Sequence, residues 1–380
     1  MSASISCSEA LAAIRRGERL PAALVRQIGQ EQPTDFFRVI VEALSDSFDA
    51  ADAAAYEDLM TAWIPHSPRP RPVMPTFVET IHVLSRVTLG ADIKITSVIL
   101  AALKRRFPES RIALVANRKC AELYAADPRI SHIEADYPRS GTVNERIEFA
   151  HRLSQQLKGP NSIVIDPDSR MTQLGMVPVC EAERYFHFPS RSAGSDANLT
   201  TLTQNWVNDT FCEAGEAYIA PCRIMAKGDA PNAAISLGVG ENDSKRIGGE
   251  FEAGLIRAVG DRFRTVWIDR GAGGEEASRV TAASAASGCA DRIRFWEGSF
   301  AGFASLIAQS DFYAGYDSAG QHAAAACGVP LVTFFAGAPS ERFRRRWAPS
   351  GSGEIQVVDA DNMTPGEALD AASLLLEWRR

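Results

Sequence analysis

The sequence predicts an α/β protein with two doubly wound parallel sheets that follow a helical N-terminal segment. From Thr76 onward, short apolar strands alternate with amphipathic helices, which is the pattern of βαβ units in a parallel sheet. The alternation weakens around residues 191–230 and then restarts at AAISLGVG, so we expect two sheets. Before Thr76 the apolar residues recur at helical spacing, as in TDFFRVIVEALSDSF.

These changes of pattern predict four regions. Residues 1–75 form a helical extension and a connector, PHSPRPRPVMP, which has too many prolines for a helix or a central strand. Residues 76–222 form the first Rossmann-like domain, with the crossing to the second near PCRIMAKGDAPN, and residues 232–350 form the second. Residues 351–380 form a tail and a helix, begun by a Thr364–Glu367 capping box, which we expect to pack back on the first domain.

Composition excludes several classes of function. The net charge is −7, and no basic run is long enough to follow a phosphate backbone, which argues against nucleic acid as a partner. The densest positive cluster, Arg342–Arg346, is expected to be a solvated helix face. Seven scattered cysteines without a C-x-x-C pair fit a reducing cytoplasm, and no apolar stretch predicts stable membrane insertion.

Three loops that follow predicted strands carry polar residues suited to chemistry. In the first, LGADIKITS, Asp92 stands at the start of a helix. Asp92 is either the helix cap or a carboxylate general base that faces a cleft between the domains.

The second loop is YDSAGQH, where Ser318, Ala319 and Gly320 open an alanine-rich helix. Exposed N–H groups and the positive end of the helix dipole favour an anion there. Asp317 and His322 lie beside this helix start; they are either a cap and an ordinary helix histidine, or ligands of sugar hydroxyls.

The third loop, LGVGENDSKRIGG, follows a strand with Gly240 and then presents Lys245 and Arg246. Two cations on a glycine-rich loop suit a diphosphate. The spacing is not that of a P-loop, and no correctly placed G-x-G-x-x-G is present.

In order and spacing these loops resemble glycosyltransferase family 9, the heptosyltransferases, over about residues 83–349. The family's G-D-x-x-x-T element and R-R-x-F-P helix end are matched by Asp92, Thr96 and RRFP at 105–108. Its D-S-G-x-x-H element is matched by DSAGQH at 317–322, its A-A-A-x-G-V-P element by 324–330, and its K-R-W element by Lys245–Ile247.

The resemblance implies a GT-B architecture, two Rossmann-like domains facing a cleft, and it implies roles. Asp92 would be the general base, and a second group would bind the donor's diphosphate and sugar: Gly240, Lys245, Arg246, Asp317, Ser318, Ala319, Gly320 and His322. Asp269, Trp296 and Gly298 would line the nucleobase pocket, and Asp168 and Arg170 would face the acceptor.

Departures from the family pattern bear on the acceptor. Ala91, Ala319 and Ile247 replace two glycines and a tryptophan, and the helical extension has no counterpart in the lipopolysaccharide enzymes. No basic, apolar face suited to an anionic lipid surface is visible. These departures favour a soluble small-molecule acceptor, as in natural-product pathways that use heptose-type or octose-type sugars.

We therefore expect an inverting transfer from a nucleotide-diphosphate sugar of the ADP or GDP type, with no cofactor and no metal. No D-x-D element lies where a metal-bridged diphosphate would need it. Three alternatives remain: a lipopolysaccharide-core-type heptosyltransferase, a sugar-nucleotide epimerase or hydrolase, and a binding scaffold that has lost catalysis. A homodimer is possible, since the amphipathic extension needs a partner surface.

Overall fold

The structure is a computed structural model that describes residues 5–65, 71–194, 196–224, 232–240, 242–271 and 273–377. The chain divides into two compact units. The first comprises Met1–Thr88, Ala102–Arg118 and Arg129–Ala214, and the second comprises Leu89–Ala101, Lys119–Pro128 and Gly215–Arg380. Two short segments of the predicted first domain are therefore grouped with the second half of the chain.

The first unit opens with the predicted helical extension. Its α-helices are α1 (Cys7–Arg15), α2 (Ala22–Glu31), α3 (Pro33–Asp35), α4 (Glu42–Ser45) and α5 (Ala50–Met60), with a π-helical stretch at Phe36–Val41. Ser6 caps α1 through a capping box with Glu9. Part of the proline-rich connector, residues 66–70, lies outside the described residues.

The segments Leu89–Ala91 (α6), Asp92–Thr96 (a π-helical turn) and Ser97–Arg106 (α7) follow without interruption. The sheet of the first unit has the order β3-β2-β1-β4-β5, and all of its neighbouring strands are parallel. Its strands are β1 (Thr80–Leu84), β2 (Arg111–Ala116), β3 (Ile130–Glu134), β4 (Ser162–Asp166) and β5 (Tyr185–His187). The remaining α-helices in this part of the chain are α8 (Arg118–Ala121), α9 (Val143–Gln156) and α10 (Leu199–Phe211).

The second sheet is also fully parallel, with the order β11-β10-β9-β6-β7-β8. Its strands are β6 (Asn232–Ser236), β7 (Thr265–Asp269), β8 (Ile293–Trp296), β9 (Phe312–Tyr316), β10 (Leu331–Phe335) and β11 (Ile355–Asp359). Its helices are α11 (Phe251–Gly260), α12 (Gly274–Ser287), α13 (Phe300–Ile307), α14 (Ala319–Ala326), α15 (Glu341–Trp347) and α16 (Pro365–Glu377). The predicted fold class, two doubly wound parallel sheets with a helical extension, is confirmed.

Apolar burial explains why the extension belongs to the first unit. Phe36, Ile40 and Leu44 of the extension share one buried cluster with Leu84 and Val164 of the sheet. The Tyr56 hydroxyl also donates to the Gln173 carbonyl at 3.2 Å. The extension therefore packs on the first half of the chain.

Two expectations about the second half are corrected. Residues 351–380 were expected to pack on the first domain, but β11 is an edge strand of the second sheet and α16 packs against α11. Val358 and Ala368 contribute to the buried cluster of the second unit. The Arg342–Arg346 stretch is not a solvated face, because Arg346 is fully buried and Arg344 pairs with Asp359.

Candidate functional site

The second sheet reverses its strand order between β6 and β9, which lie side by side although their sequences are far apart. In open parallel sheets, ligands bind beyond the carboxyl ends of the strands at such a switch point. The loop after β6 leads to Lys245, and the loop after β9 begins with Asp317. The topology therefore brings two of the three predicted loops to one place.

Lys245 and Asp317 form an ion pair at this switch point. The Lys245 Nζ atom lies 2.7 Å from Asp317 Oδ2, and the two side chains are 20% and 7% exposed. The other Asp317 oxygen accepts a hydrogen bond from the Gln321 side-chain amide. The Asp317 carboxylate is thus bound by Lys245 and Gln321 and does not cap α14. Part of the Lys245 side chain remains exposed to solvent.

Arg246 has a different environment from Lys245. Its guanidinium pairs with Glu252 at 2.5 Å and donates to the Leu237 carbonyl at 3.2 Å. Tyr316 donates to the same Glu252 carboxylate at 3.2 Å. Arg246 therefore fastens the loop to α11, and its predicted direct contact with a diphosphate is less well supported than that of Lys245.

The start of α14 presents backbone N–H groups, as expected. Ser318 is the N-cap residue in extended conformation, and among the described residues its hydroxyl makes no capping hydrogen bond. Ala319 and Gly320 follow as the first helical residues. A Cβ atom on Gly320 would lie 2.2 Å from the Tyr313 hydroxyl, so the buried tyrosine beneath this turn requires glycine there.

The Asp92 turn packs against α14 within the second unit. A Cβ atom on Gly90 would lie 3.1 Å from His322 Cδ2, so this glycine permits the close approach. Asp92 is fully buried, and its Oδ1 atom accepts a hydrogen bond from the Thr96 hydroxyl at 2.7 Å. The helical segments begin at Leu89, before Asp92, so the helix-cap interpretation of Asp92 is wrong.

Lys94 is a residue of this site that the sequence analysis missed. It is 2% exposed, and its Nζ atom donates to the Ala348 carbonyl at 2.6 Å. Burial lowers the pKa of Lys94 to about 7, although the Asp317 carboxylate opposes the shift. The signal in the sequence was a single cation inside the apolar run ADIKITSVIL.

His322 lies between these groups and is 5% exposed. Burial, followed by the Lys94 and Lys245 cations, lowers its pKa well below the usual value. The imidazole is therefore neutral at physiological pH. Its ring centroid lies 5.9 Å from that of Trp347.

The residues predicted to line the nucleobase pocket lie at the carboxyl ends of β7 and β8. Asp269 accepts a hydrogen bond from the Gly271 N–H at 3.1 Å, and burial raises its pKa, helped by the Glu276 carboxylate. The Trp296 indole lies over Gly298, where a Cβ atom would approach it to 2.8 Å. The structure places the three residues on neighbouring strand ends.

Glu276 is a second residue that the sequence analysis missed. Its carboxylate lies against the backbone after β6 and after β7. A Cβ atom on Gly238 would be 2.6 Å from Oε1, and a Cβ atom on Gly271 would also meet the carboxylate. An acidic side chain beyond the second strand of a Rossmann-like sheet is suited to ribose hydroxyls. The signal was a glutamate that follows the glycines of DRGAGGEE.

The predicted acceptor-side residues lie in the first unit, at the switch point between β1 and β4. Asp168 is buried in left-handed conformation, φ 69°, and accepts from the Arg191 N–H at 2.8 Å. Burial disfavours its ionised form, but His187, Arg191 and Arg86 outweigh this and hold its pKa well below the usual range. Arg170 pairs with Asp46 of the extension at 2.9 Å.

The structure therefore collects most of the predicted donor residues and Asp92 in the second unit, and Asp168 and Arg170 in the first. Gly240 lies in the loop after β6 with φ 66°, a conformation that favours glycine. Across the described ranges, no group of three or more His, Cys, Asp or Glu side chains is arranged to hold a metal ion. No helix in the same part of the chain combines the length and apolar character needed to cross a membrane.

Comparison with known proteins supports the fold. No family model matches the sequence, and no curated protein matches it. Among solved structures, a glycosyl transferase family 9 protein from Veillonella parvula aligns over 80% of this chain and 99% of its own, with TM-score 0.60 and 16% identity.

Two E. coli structures are also similar. Heptosyltransferase WaaC with ADP aligns over 79% of this chain and all of its own, with TM-score 0.58 and 14% identity. ADP-heptose lps heptosyltransferase II aligns over 79% of this chain and 99% of its own, with TM-score 0.53 and 17% identity. At these identities the likeness establishes a shared GT-B-type fold.

Proposed function

We propose that the protein is an inverting glycosyltransferase that moves a heptose-like or octose-like sugar from an ADP-type or GDP-type donor to a soluble small molecule. The observation that carries this proposal is the largely buried Lys245–Asp317 pair beside the open start of α14, at the switch point of the second sheet. A lysine and helix N–H groups stabilise a departing diphosphate, while a carboxylate suits sugar hydroxyls. The fold shared with the heptosyltransferase structures is consistent with this assignment.

In the proposed reaction, the acceptor's oxygen, nitrogen or sulfur attacks the anomeric carbon, and the bond to the diphosphate breaks with inversion. Asp92 accepts the acceptor's proton, and its hydrogen bond from Thr96 fixes the carboxylate. Lys245 and the N–H groups of α14 take up the charge that develops on the leaving diphosphate. Lys94 adds a second cation near Asp317. Asp269, Glu276 and Trp296 would hold the nucleoside.

We also propose that transfer requires no metal, because Lys245, Lys94 and the helix dipole already supply positive charge to the diphosphate. Turnover in the presence of EDTA should equal turnover without it. Loss of activity in EDTA that magnesium or manganese restores would contradict this part of the proposal.

The function is tested through Lys245. Lys245→Ala should weaken binding of the nucleotide sugar by about 1.5–3 kcal/mol, or roughly 10- to 150-fold, the value of a charge-assisted hydrogen bond. Isothermal calorimetry measures the affinity. Lys158→Ala, an exposed lysine of the first unit, is the matched control and should bind as the wild type does.

A panel of nucleotide sugars separates the competing functions. A transferase releases nucleoside diphosphate only when an acceptor is present, a hydrolase or epimerase turns over the donor alone, and a scaffold binds without turnover. Transfer to a lipopolysaccharide-core acceptor but to no small molecule would favour the lipopolysaccharide-type alternative. Unchanged donor affinity in Lys245→Ala would remove the lysine from the site.

A further inference from the structure

A cavity of about 890 Å³ is lined by residues of the first unit, and none of the predicted donor residues is among them. This volume is within the range of pockets that bind small molecules. One wall comes from the helical extension, through Ser45, Ala53, Tyr56 and Glu57. The extension thus forms part of the cavity wall as well as part of the core.

The opposite walls are largely aromatic. Tyr185 and Phe186 lie on β5, and Trp206 lies on α10. Tyr56 adds a fourth ring from the extension. Flat apolar walls favour a ligand that presents a ring face, since aromatic side chains offer large rigid contact areas.

One side of the cavity is polar, and ion pairs fix its side chains. Asp168 lies 3.6 Å from His187 and 3.5 Å from the Arg191 guanidinium, and Arg191 Nε is 2.7 Å from Asp46. A Cβ atom on Gly175, which has φ 79°, would come within 2.5 Å of the His187 ring. The Gly175 backbone therefore lies directly against the His187 ring.

The charges around the cavity indicate an uncharged occupant. Arg191 is already engaged by two carboxylates, Asp46 and Asp168. The rim carries the exposed carboxylates of Glu57 and Asp209 against one exposed cation, Arg71. A phosphate at the rim would meet two exposed carboxylates and only one exposed cation, so the net charge there disfavours a phosphorylated occupant. Hydroxyl groups suit the polar atoms that line the cavity, because they both donate and accept hydrogen bonds.

We propose that this cavity binds an uncharged small molecule with an apolar ring face and peripheral hydroxyl groups, and that this molecule is the sugar acceptor. The second half of the statement rests on the proposed function, whereas the binding site itself does not. The extension then acts as a specificity element that selects ring compounds over phosphorylated acceptors.

The test uses the full chain and two probes, 4-nitrophenyl glucoside and its 6-phosphate, with binding followed by calorimetry in the absence of any nucleotide sugar. Wild-type protein should bind the glucoside about tenfold or more tightly than its phosphate. Ala53→Trp fills the cavity from the extension and should weaken glucoside binding by about tenfold or more. Ala54→Trp, on the exposed side of the same helix, is the matched control and should leave the affinity unchanged.

Where Ala53→Trp does not fold, as judged by its melting curve, Ala182→Phe fills the cavity from another wall. Equal glucoside affinity in the filled variant and the wild type overturns the site. Tighter binding of the phosphate, or no binding of either probe, overturns the ligand class. Binding in the cavity without transfer to any ring compound leaves the site standing and contradicts only its role as acceptor site.

Discussion

At the scale of single residues, the position of Asp92 excludes one of the two roles that the sequence left open, that of the helix cap. The Asp92 carboxylate is fully buried within consecutive helical turns, and its Oδ1 atom accepts a hydrogen bond from the Thr96 hydroxyl. The main-chain carbonyl of Asp92 accepts a hydrogen bond from the Tyr124 hydroxyl at 2.9 Å. Asp92 therefore does not cap the helix, and in the proposed reaction its carboxylate would accept the acceptor's proton.

Asp92→Asn should lower the transfer rate by about 10²–10⁴, the usual contribution of a positioned base. The amide oxygen can still accept from Thr96, so folding and donor affinity should stay near wild-type values. Single-turnover rates and calorimetry measure the two effects. A loss below about tenfold at neutral pH, removed by raising the pH, would instead indicate an acceptor that ionises by itself, such as a thiol.

At the scale of elements, the π-helical turn packs against α14, and together they form the centre of the proposed donor site. The turn places Lys94 near Asp317 and His322. The Asp317 carboxylate raises the pKa of Lys94, and the Lys94 cation lowers the pKa of His322. π-helical turns occur often at functional sites. Here the turn places the Lys94 side chain in a buried position.

The buried lysine predicts a pH dependence of donor binding. Because the pKa of Lys94 is about 7, the amine is charged below that pH and neutral above it. Affinity for an intact nucleotide sugar, whose diphosphate does not titrate in this range, should therefore fall by roughly three- to tenfold between pH 6 and pH 8. Burial and the Lys94 and Lys245 cations hold the pKa of His322 well below its usual value, so Lys94 is the group we expect to titrate.

Lys94→Met provides the comparison. Its donor affinity should be weaker than wild type at pH 6 and equal to it at pH 8. Calorimetric titrations of both proteins at a series of pH values check this. An unchanged pH profile in the variant would assign the titration to another group.

At the scale of the whole molecule, the helical extension is joined to the first unit by charge as well as by apolar packing. Asp46 lies 2.9 Å from Arg170 and 2.7 Å from Arg191. Burial opposes its ionised form, but the two cations prevail and lower the pKa of Asp46 to about 2. A folded-state pKa below the unfolded value means that the carboxylate stabilises the fold above pH ~4, and that this contribution is lost as the pH falls toward 2.

Asp46→Asn should therefore lower the free energy of unfolding at pH 7, and the difference from wild type should shrink as the pH falls from about 4 toward 2. The effect should be modest because the side chain is 43% exposed. Urea unfolding at several pH values measures it. Asp58→Asn, which removes an exposed partner of Arg19 at 3.4 Å, is the control, and an equal loss in both variants would contradict the prediction.

The sequence by itself determined the two parallel sheets, the helical extension and the loops in which Asp92, Lys245 and Asp317 lie. These features depend on local signals: strand and helix periodicity, prolines, and small residues at helix starts. The carboxyl ends of parallel strands meet at one edge, so the order of the loops was enough to predict that Lys245 and Asp317 lie close together.

Only the tertiary structure decided which polar residues are buried and paired. Lys94 reaches the carbonyl of Ala348, 254 residues away, and Arg170 and Arg191 meet Asp46 across more than 100 residues. The same is true of β11, which joined the second sheet against expectation. Burial and ion pairing depend on contacts between segments that are distant in the chain. Periodicity does not indicate which distant segments will come into contact in the fold. For this reason the grouping of the loops that carry Lys245 and Asp317 was predictable, whereas the buried lysine and the cavity beside the extension were not.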